Sequence, residues 1–181
     1  MRHRPASAGD ASRVRELYER AVADYGNALK RLTGAYEADP DRRQDLLQEI
    51  HLALWESLGR FDGRSALGTW VYRVAHNTAT SICIRRRSAR VQLVGLEDIA
   101  LPTEAVDRER DLDERRGMER LLALIQRLRP IDRQVILLYL EDVDAKTIGE
   151  IVGISAVNAA TKIHRVKKML AAQFQKGAGN E

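Results

Sequence analysis

The chain reads as an all-α protein, two small helical domains joined by a flexible linker, with a helix-turn-helix in the C-terminal one. Three observations predict this. Apolar residues recur at three- and four-residue intervals through most of the 181 residues, and strand-like alternation is nowhere sustained. From Ser88 to about Asp111 the periodicity is lost, and Gly95 and Pro102 punctuate a polar, acidic stretch of linker character. The last fifty residues read as a helix, a tight turn and a basic helix. The predicted domains are therefore residues 1–90 and 112–181, with 91–111 as the linker.

The first helix is predicted over 10–32, where Val14, Leu17, Tyr18, Ala21, Val22, Tyr25, Leu29 and Leu32 form an apolar stripe. Gly34 and the turn Asp39-Pro40-Asp41 separate it from a second helix at about 41–58. Pro40 suits a first helical turn, where its missing donor costs nothing. Leu47, Ile50, Leu54 and Leu58 make the apolar line of that helix, and Asp45, Glu49, Leu52 and Glu56 a mixed, acidic one. After the loop 59–64, Ser65 is positioned to cap a third helix over 65–87. Leu67, Val71, Val74, Ala75 and Thr78 give its apolar line. Its end runs into Arg85-Arg86-Arg87 and Arg90, cations that complement the helix dipole.

Helical pattern resumes with Leu112, Met118, Leu121, Leu122, Ile125 and Leu128, and Pro130 is expected to stop it. Ile131 to Leu140 predicts a short apolar helix. Asp144 then stands as an N-cap before Ile148, Ile151 and Val152. Gly153 can take the left-handed conformation that ends a helix, and Ser155 can cap the next one. From Ala156 to Phe174 there is no Gly or Pro, and Val157, Ile163, Val166 and Leu170 are expected to share a buried side. Gly149 lets the two helices approach closely. A second helix with a basic outer face is the layout that enters a DNA major groove.

Composition narrows the function. Net charge is only +4 while the isoelectric point is near 9.4, so basic character is local: after Ser81 and in the last helix. Cys83 is the single cysteine, which excludes an intramolecular disulfide and a cysteine-rich zinc site, and it is expected to be a small buried residue. His3, His51, His76 and His164 lack metal-ligand spacing, and no phosphate loop or nucleophile motif is present. An enzyme, a metal and a cofactor are therefore not expected. Basic Met1-Arg2-His3-Arg4-Pro5 leads into no apolar signal core, and no run approaches the ~20 apolar residues of a membrane span. A cytoplasmic protein without membrane insertion is expected.

Two stretches then carry a resemblance. Residues 45–61, followed by Ser65 to Asn77 with Thr69-Trp70-Val71-Tyr72-Arg73-Val74-Ala75-His76-Asn77 and the arginine run, resemble region 2 of bacterial sigma factors. Leu128-Arg129-Pro130, Asp132-Arg133-Gln134, Ile148 to Ser155 and His164-Arg165 resemble region 4. Small size and the lack of a domain between them are similar to the extracytoplasmic-function (group IV) class. That resemblance implies core RNA polymerase and promoter DNA as partners, and an anti-sigma factor as a further partner class. It implies polymerase binding by Asp45, Gln48, Glu49 and Leu52. Downstream-element binding and melting would fall to Trp70, Tyr72, Arg73, His76, Asn77, Arg85, Arg86 and Arg87. Upstream-element binding would fall to Ser155, Asn158, Lys162, Arg165, Lys167 and Lys168.

The residues qualify that inheritance. Strand opening needs aromatic surfaces to replace base stacking and cations for phosphates. Trp70 and Tyr72 cannot share a helix face, so Trp70, next to Val71, is expected in the core, while Arg73 and Asn77 share a face. Asp41-Arg42-Arg43-Gln44 stands where the family carries an acidic cluster. Asn158 and Ala160 replace a typical threonine and lysine, leaving Asn158, Lys162 and Arg165 as plausible base readers. The alternative is a stand-alone helix-turn-helix regulator with an N-terminal dimerisation or ligand module, which has no need of an aromatic helix running into arginines.

Overall fold

Caps and breakers set where the helices of the computed structural model begin and end; it describes residues 8–93 and 111–178. The elements are α1 (Ala8–Tyr36), α2 (Pro40–Leu58), α3 (Leu67–Leu93), α4 (Asp111–Gln126), α5 (Pro130–Leu140), α6 (Ala145–Val152) and α7 (Ala156–Ala178). Among the described residues there is no strand. Residues 94–110, most of the expected linker, lie outside the described residues.

Asp39 caps α2, its carboxylate accepting the Arg42 N–H at 3.0 Å, with Pro40 in the first turn as expected. Three helices differ from expectation in their bounds. First, α1 continues past Leu32 to Tyr36 and takes in Gly34. Tertiary contact explains this, because a Cβ at Gly34 would meet Leu122 at 3.9 Å and the Gly34 carbonyl accepts Gln126 Nε2 at 2.9 Å. Second, α3 begins at Leu67, so Ser65 is not its cap. The Trp70 N–H reaches the Ala66 carbonyl, 3.2 Å away. The helix runs on to Leu93, into the expected linker, since no Gly or Pro lies between Gly68 and Gly95. Third, α4 begins at Asp111 and ends at Gln126, and Pro130 opens α5 rather than stopping α4.

In the N-terminal half α1, α2 and α3 close on Ala21, Leu29, Leu46, Ile50, Leu54, Val71 and Ala75. Leu46, not Leu47, is the fully buried member of its pair, and Val22 is exposed at the edge.

The C-terminal half matches its reading closely. Asp144 caps α6 through the Lys146 and Thr147 N–H groups at 2.9 and 3.1 Å. Gly153 is left-handed (φ 81°, ψ 36°), and Ser155 Oγ accepts the Asn158 N–H at 3.2 Å to start α7. Ala159, Val166 and Leu170 are the buried side of α7. Val157, expected among them, is 78 % exposed. Its separation from Ile163 turns the helix by about 240° at 100° per residue, so the two cannot share a face.

The halves do not stand apart. Ile125, Ile136, Leu137, Val166 and Leu170 join the N-terminal core, while Ala28 and Tyr72 enter the cluster of Val135, Leu138, Ile148, Ile151 and Ala159. Gly149 is the tightest point of the helix-turn-helix: a Cβ there would lie 2.6 Å from the Ile154 carbonyl oxygen and 3.3 Å from the Ala156 nitrogen. Both neighbours are backbone and cannot swing away. Gly149→Ala is expected to cost about 1–3 kcal/mol as an overpacked site. Urea unfolding should show a lower midpoint at unchanged slope; an unchanged midpoint would remove the close approach from this account.

Candidate nucleic-acid interface

The second helix of the helix-turn-helix, α7, carries its expected cations, but three are already engaged. Asp132, in the first turn of α5 and buried, accepts Lys162 Nζ at 2.9 Å and Arg165 through both carboxylate oxygens at 3.0 and 2.9 Å. A buried carboxylate needs such partners; they anchor Lys162, whose side chain is 21 % exposed, while Arg165 stays 63 % exposed with one guanidinium nitrogen on Asp132. Lys167 donates to the Tyr139 hydroxyl at 2.7 Å and sits 4.6 Å from its ring centre. Ser155 is used as a cap. Asn158 and Lys168 remain exposed as expected. Opposite the buried side lie Val157, Thr161, His164 and Lys168, spaced by four, three and four residues. Of these only Lys168 was expected to contact DNA; Val157 was expected on the buried side. The spacing against Ala159, Val166 and Leu170 was the available signal.

On α3 the expected strand-binding residues divide. Trp70, expected in the core, is half-buried and packs at its edge: Nε1 donates to Ser57 Oγ at 3.1 Å, and its ring meets Phe61 edge-on at 5.5 Å. Asn77 and Arg85 are exposed. Tyr72 and His76 are not; they are 8 % and 2 % exposed. Their four-residue spacing places both on the side that packs against α1. Tyr72 lies edge-on to Tyr25 at 5.6 Å and is covered by the helix-turn-helix. His76 Nδ1 is 3.1 Å from the Tyr36 hydroxyl. Arg73 donates to the Glu150 carbonyl of α6 at 3.0 Å, and Arg86 pairs with Glu37 at 3.1 Å. Arg87 lies in α3, but its side chain is outside the described residues.

Burial sets the titration of this side. It pushes the Tyr72 hydroxyl up to about 12 and the His76 imidazole down to about 3, because each charged form is poorly solvated there.

The α2 face is uncovered. Asp45, Gln48, Glu49 and Leu52 are all exposed, and Trp55 continues the same face. Trp55 was missed because its neighbours Leu54 and Leu58 suggested core. Beside this face a cleft of about 300 Å³ is lined by Glu49, Leu52 and Glu56 from α2 and Asn77, Ser81 and Arg85 from α3. It brings the expected polymerase and strand contacts side by side. The departure at Arg43 has a structural use: its guanidinium donates to the Glu37 and Ala38 carbonyls at 2.8 and 2.7 Å, closing the end of α1. Among the described residues no cluster could hold a metal, and no helix is long and apolar enough to cross a membrane.

The family model of sigma-70 region 2 matches residues 21–90, and that of sigma-70 region 4 matches 118–170, together about two thirds of the chain. The chain belongs to the sigma-70 family. Its matched regions, 2 and 4, are those of the extracytoplasmic-function class that the sequence resembles. The RNA polymerase sigma factor NccH of Alcaligenes xylosoxydans xylosoxydans is 25 % identical over 138 residues, 75 % of this chain and 72 % of that relative. The RNA polymerase sigma-H factor of Pseudomonas aeruginosa is 32 % identical over 72 residues, 40 % of this chain and 37 % of that protein. In fold, this sigma factor is similar to CnrH in its complex with the cytosolic domain of CnrY. The TM-score is 0.66 at 19 % identity, covering 93 % of this chain and 94 % of that one.

His76 makes stability pH-dependent with a definite sign. Its pKa falls from 6.5 when unfolded to about 3 when folded, so the unfolded chain takes up the proton first as pH drops. The stability from neutral His76 is complete above the unfolded value and is lost as pH falls from there towards 3. His51, whose pKa burial also lowers, acts in the same direction. The urea midpoint should therefore fall between pH 7.5 and 5, and His76→Gln should flatten that fall. Equal slopes in both proteins would show that His76 is not the titrating group.

Proposed function

We propose that this sigma factor binds core RNA polymerase through the outer face of α2. In the same reading α7 reads an upstream promoter element, and α3 holds the unpaired strand of a downstream element. The observation that carries this is a division of surface. The acidic and apolar face of α2 (Asp45, Gln48, Glu49, Leu52, Trp55) and the outer face of α7 are uncovered together, while Tyr72 of α3 is buried and Arg73 is bonded to α6. An exposed Trp beside Leu52 suits the buried centre of a protein interface, and the carboxylates suit its charged rim.

Tyr72 can stack on a base, an interaction of about 1–3 kcal/mol, only when the halves part. One of the polar contacts across them is weak. Arg31, largely exposed, forms a two-pronged pair with Glu141 at 2.7 and 2.6 Å, of a kind that contributes about 0–1 kcal/mol. Polymerase binding that separates the halves would uncover Tyr72, Arg73 and α6 in one step. The likeness to CnrH bound to the cytosolic domain of CnrY supports a protein partner for the same body, and an anti-sigma factor is the class the resemblance implies.

Co-purification with core polymerase, followed by run-off transcription on genomic fragments, tests the role. Tight sequence-specific binding to duplex by the isolated chain at physiological salt would instead indicate an ordinary regulator. Gln48→Lys with Glu49→Lys should preserve helical content, since these are exposed positions and Lys is a good helix former. Capture of core polymerase should weaken, and wild-type capture would eliminate the α2 face.

Within α7, Asn158→Ala should cost about 1–3 kcal/mol on the preferred upstream element and relax one or two base positions. Lys168→Ala should weaken all sequences alike and lower the salt slope by about one counterion. Selection from randomised upstream elements with the holoenzyme separates them. Uniform loss in both variants makes Asn158 a phosphate contact.

A further inference from the structure

The outer face of α7 opens with an apolar side chain that nothing covers. Val157 is 78 % exposed, the most exposed of the large hydrophobic residues described. Thr161, one turn on and also exposed, donates its hydroxyl to the Val157 carbonyl at 2.9 Å. That hydroxyl is therefore used inside the helix, and the methyl is its remaining free end. Side chains four apart on a helix lie about 5–6 Å from each other, so the two present a small patch of methyl groups.

Beside this patch the two cations able to read guanine are anchored at one end, Lys162 at 21 % and Arg165 at 63 % side-chain exposure. Lys162 and Arg165, which could bond guanine O6 and N7, are held by Asp132. The first turns of a recognition helix are the part that reaches base edges. The base-edge group in the major groove that matches an apolar patch is the C5-methyl of thymine.

We infer that Val157 and Thr161 select thymine in the upstream promoter element by packing against its C5-methyl group. This rests on the promoter-reading role proposed above, and it makes the element's preference at one or two positions a methyl preference rather than a hydrogen-bond one. The patch spans less than two base-pair steps of about 3.4 Å each, so any thymines read together are adjacent.

The test uses holoenzyme assembled from the full chain and core polymerase. A promoter is first selected from a pool randomised in the upstream element. Each thymine of the selected element, on either strand, is then replaced singly by deoxyuridine, which pairs identically and lacks only the methyl. Wild-type holoenzyme should bind about fourfold more weakly at one or two positions, the loss expected for one buried carbon group. Val157→Ala should diminish the discrimination at one of these positions, since alanine and Thr161 keep part of the methyl contact, and Val157→Ile should keep it in full. Val157 is exposed and alanine favours helix, so circular dichroism should show both variants folded.

Uracil tolerated at every position by the wild type overturns the proposal, as does undiminished discrimination by Val157→Ala. Loss of run-off by Val157→Ala on every template alike, with the thymine preference retained, assigns Val157 to a polymerase contact and also overturns it. A chain that forms no holoenzyme overturns the initiation-factor reading, and the methyl reading with it.

Discussion

Tyr36 and His76 meet at the point on which the rest of the structure depends. The Tyr36 hydroxyl lies 3.1 Å from His76 Nδ1 and 3.4 Å from Thr80 Oγ1, joining α1 to α3. Its carbonyl accepts the Cys83 thiol at 3.6 Å, and its ring lies 5.1 Å below the Arg133 guanidinium of α5. Arg133 in turn reaches the Ile125 and Leu128 carbonyls, both at 3.3 Å, closing the end of α4. One dry junction thus ties both halves. Its dryness is what pushes the Tyr36 hydroxyl up to about 12 and His76 down to about 3, and lowers Arg133. In a weakly screening interior these bonds are strong, but any partner left alone there would be costly.

That junction constrains function through α3. A helix packed along one side against α1 offers a nucleic acid only its other side, where Asn77 and Arg85 lie in the cleft beside α2. Tyr72 belongs to neither category: it is packed, but partly against the helix-turn-helix, a surface from a separate part of the chain. Its availability is therefore a matter of domain arrangement. The same holds for Arg73, whose partner is a backbone carbonyl of α6. In the proposed role, closing the halves and engaging an unpaired strand would compete for the same side chains.

The cations illustrate how little a count of basic residues says about DNA contact. Arg43 and Arg133 close helix ends, Lys162 and Arg165 neutralise a buried carboxylate, and Lys167 lies on a tyrosine. Each of these roles stabilises the domain that would present the reading face. Exposed near the start of α7 are Asn158, Val157 and Thr161, so in the proposed role the chemistry of base choice would differ from the chemistry of grip.

The caps and turns of the C-terminal half were legible in the sequence residue by residue. Asp144, Gly149, Gly153 and Ser155 each act within a few positions of themselves, through a backbone N–H, a left-handed turn or, at Gly149, a close backbone approach. The amphipathic lines of α2 and α3 were legible too, since periodicity is a local property. The extension of α1 through Gly34 was not, because its reason is Leu122 and Gln126 on another helix. Nor were the burial of Tyr72 and His76 or the capture of Lys162 and Arg165 by Asp132. A side chain's alternatives, water, a phosphate or a distant carboxylate, have similar local sequence signatures. Only the packing that brings residue 132 against residues 162 and 165 decided among them, because the energy of a charge depends on what surrounds it in space rather than along the chain.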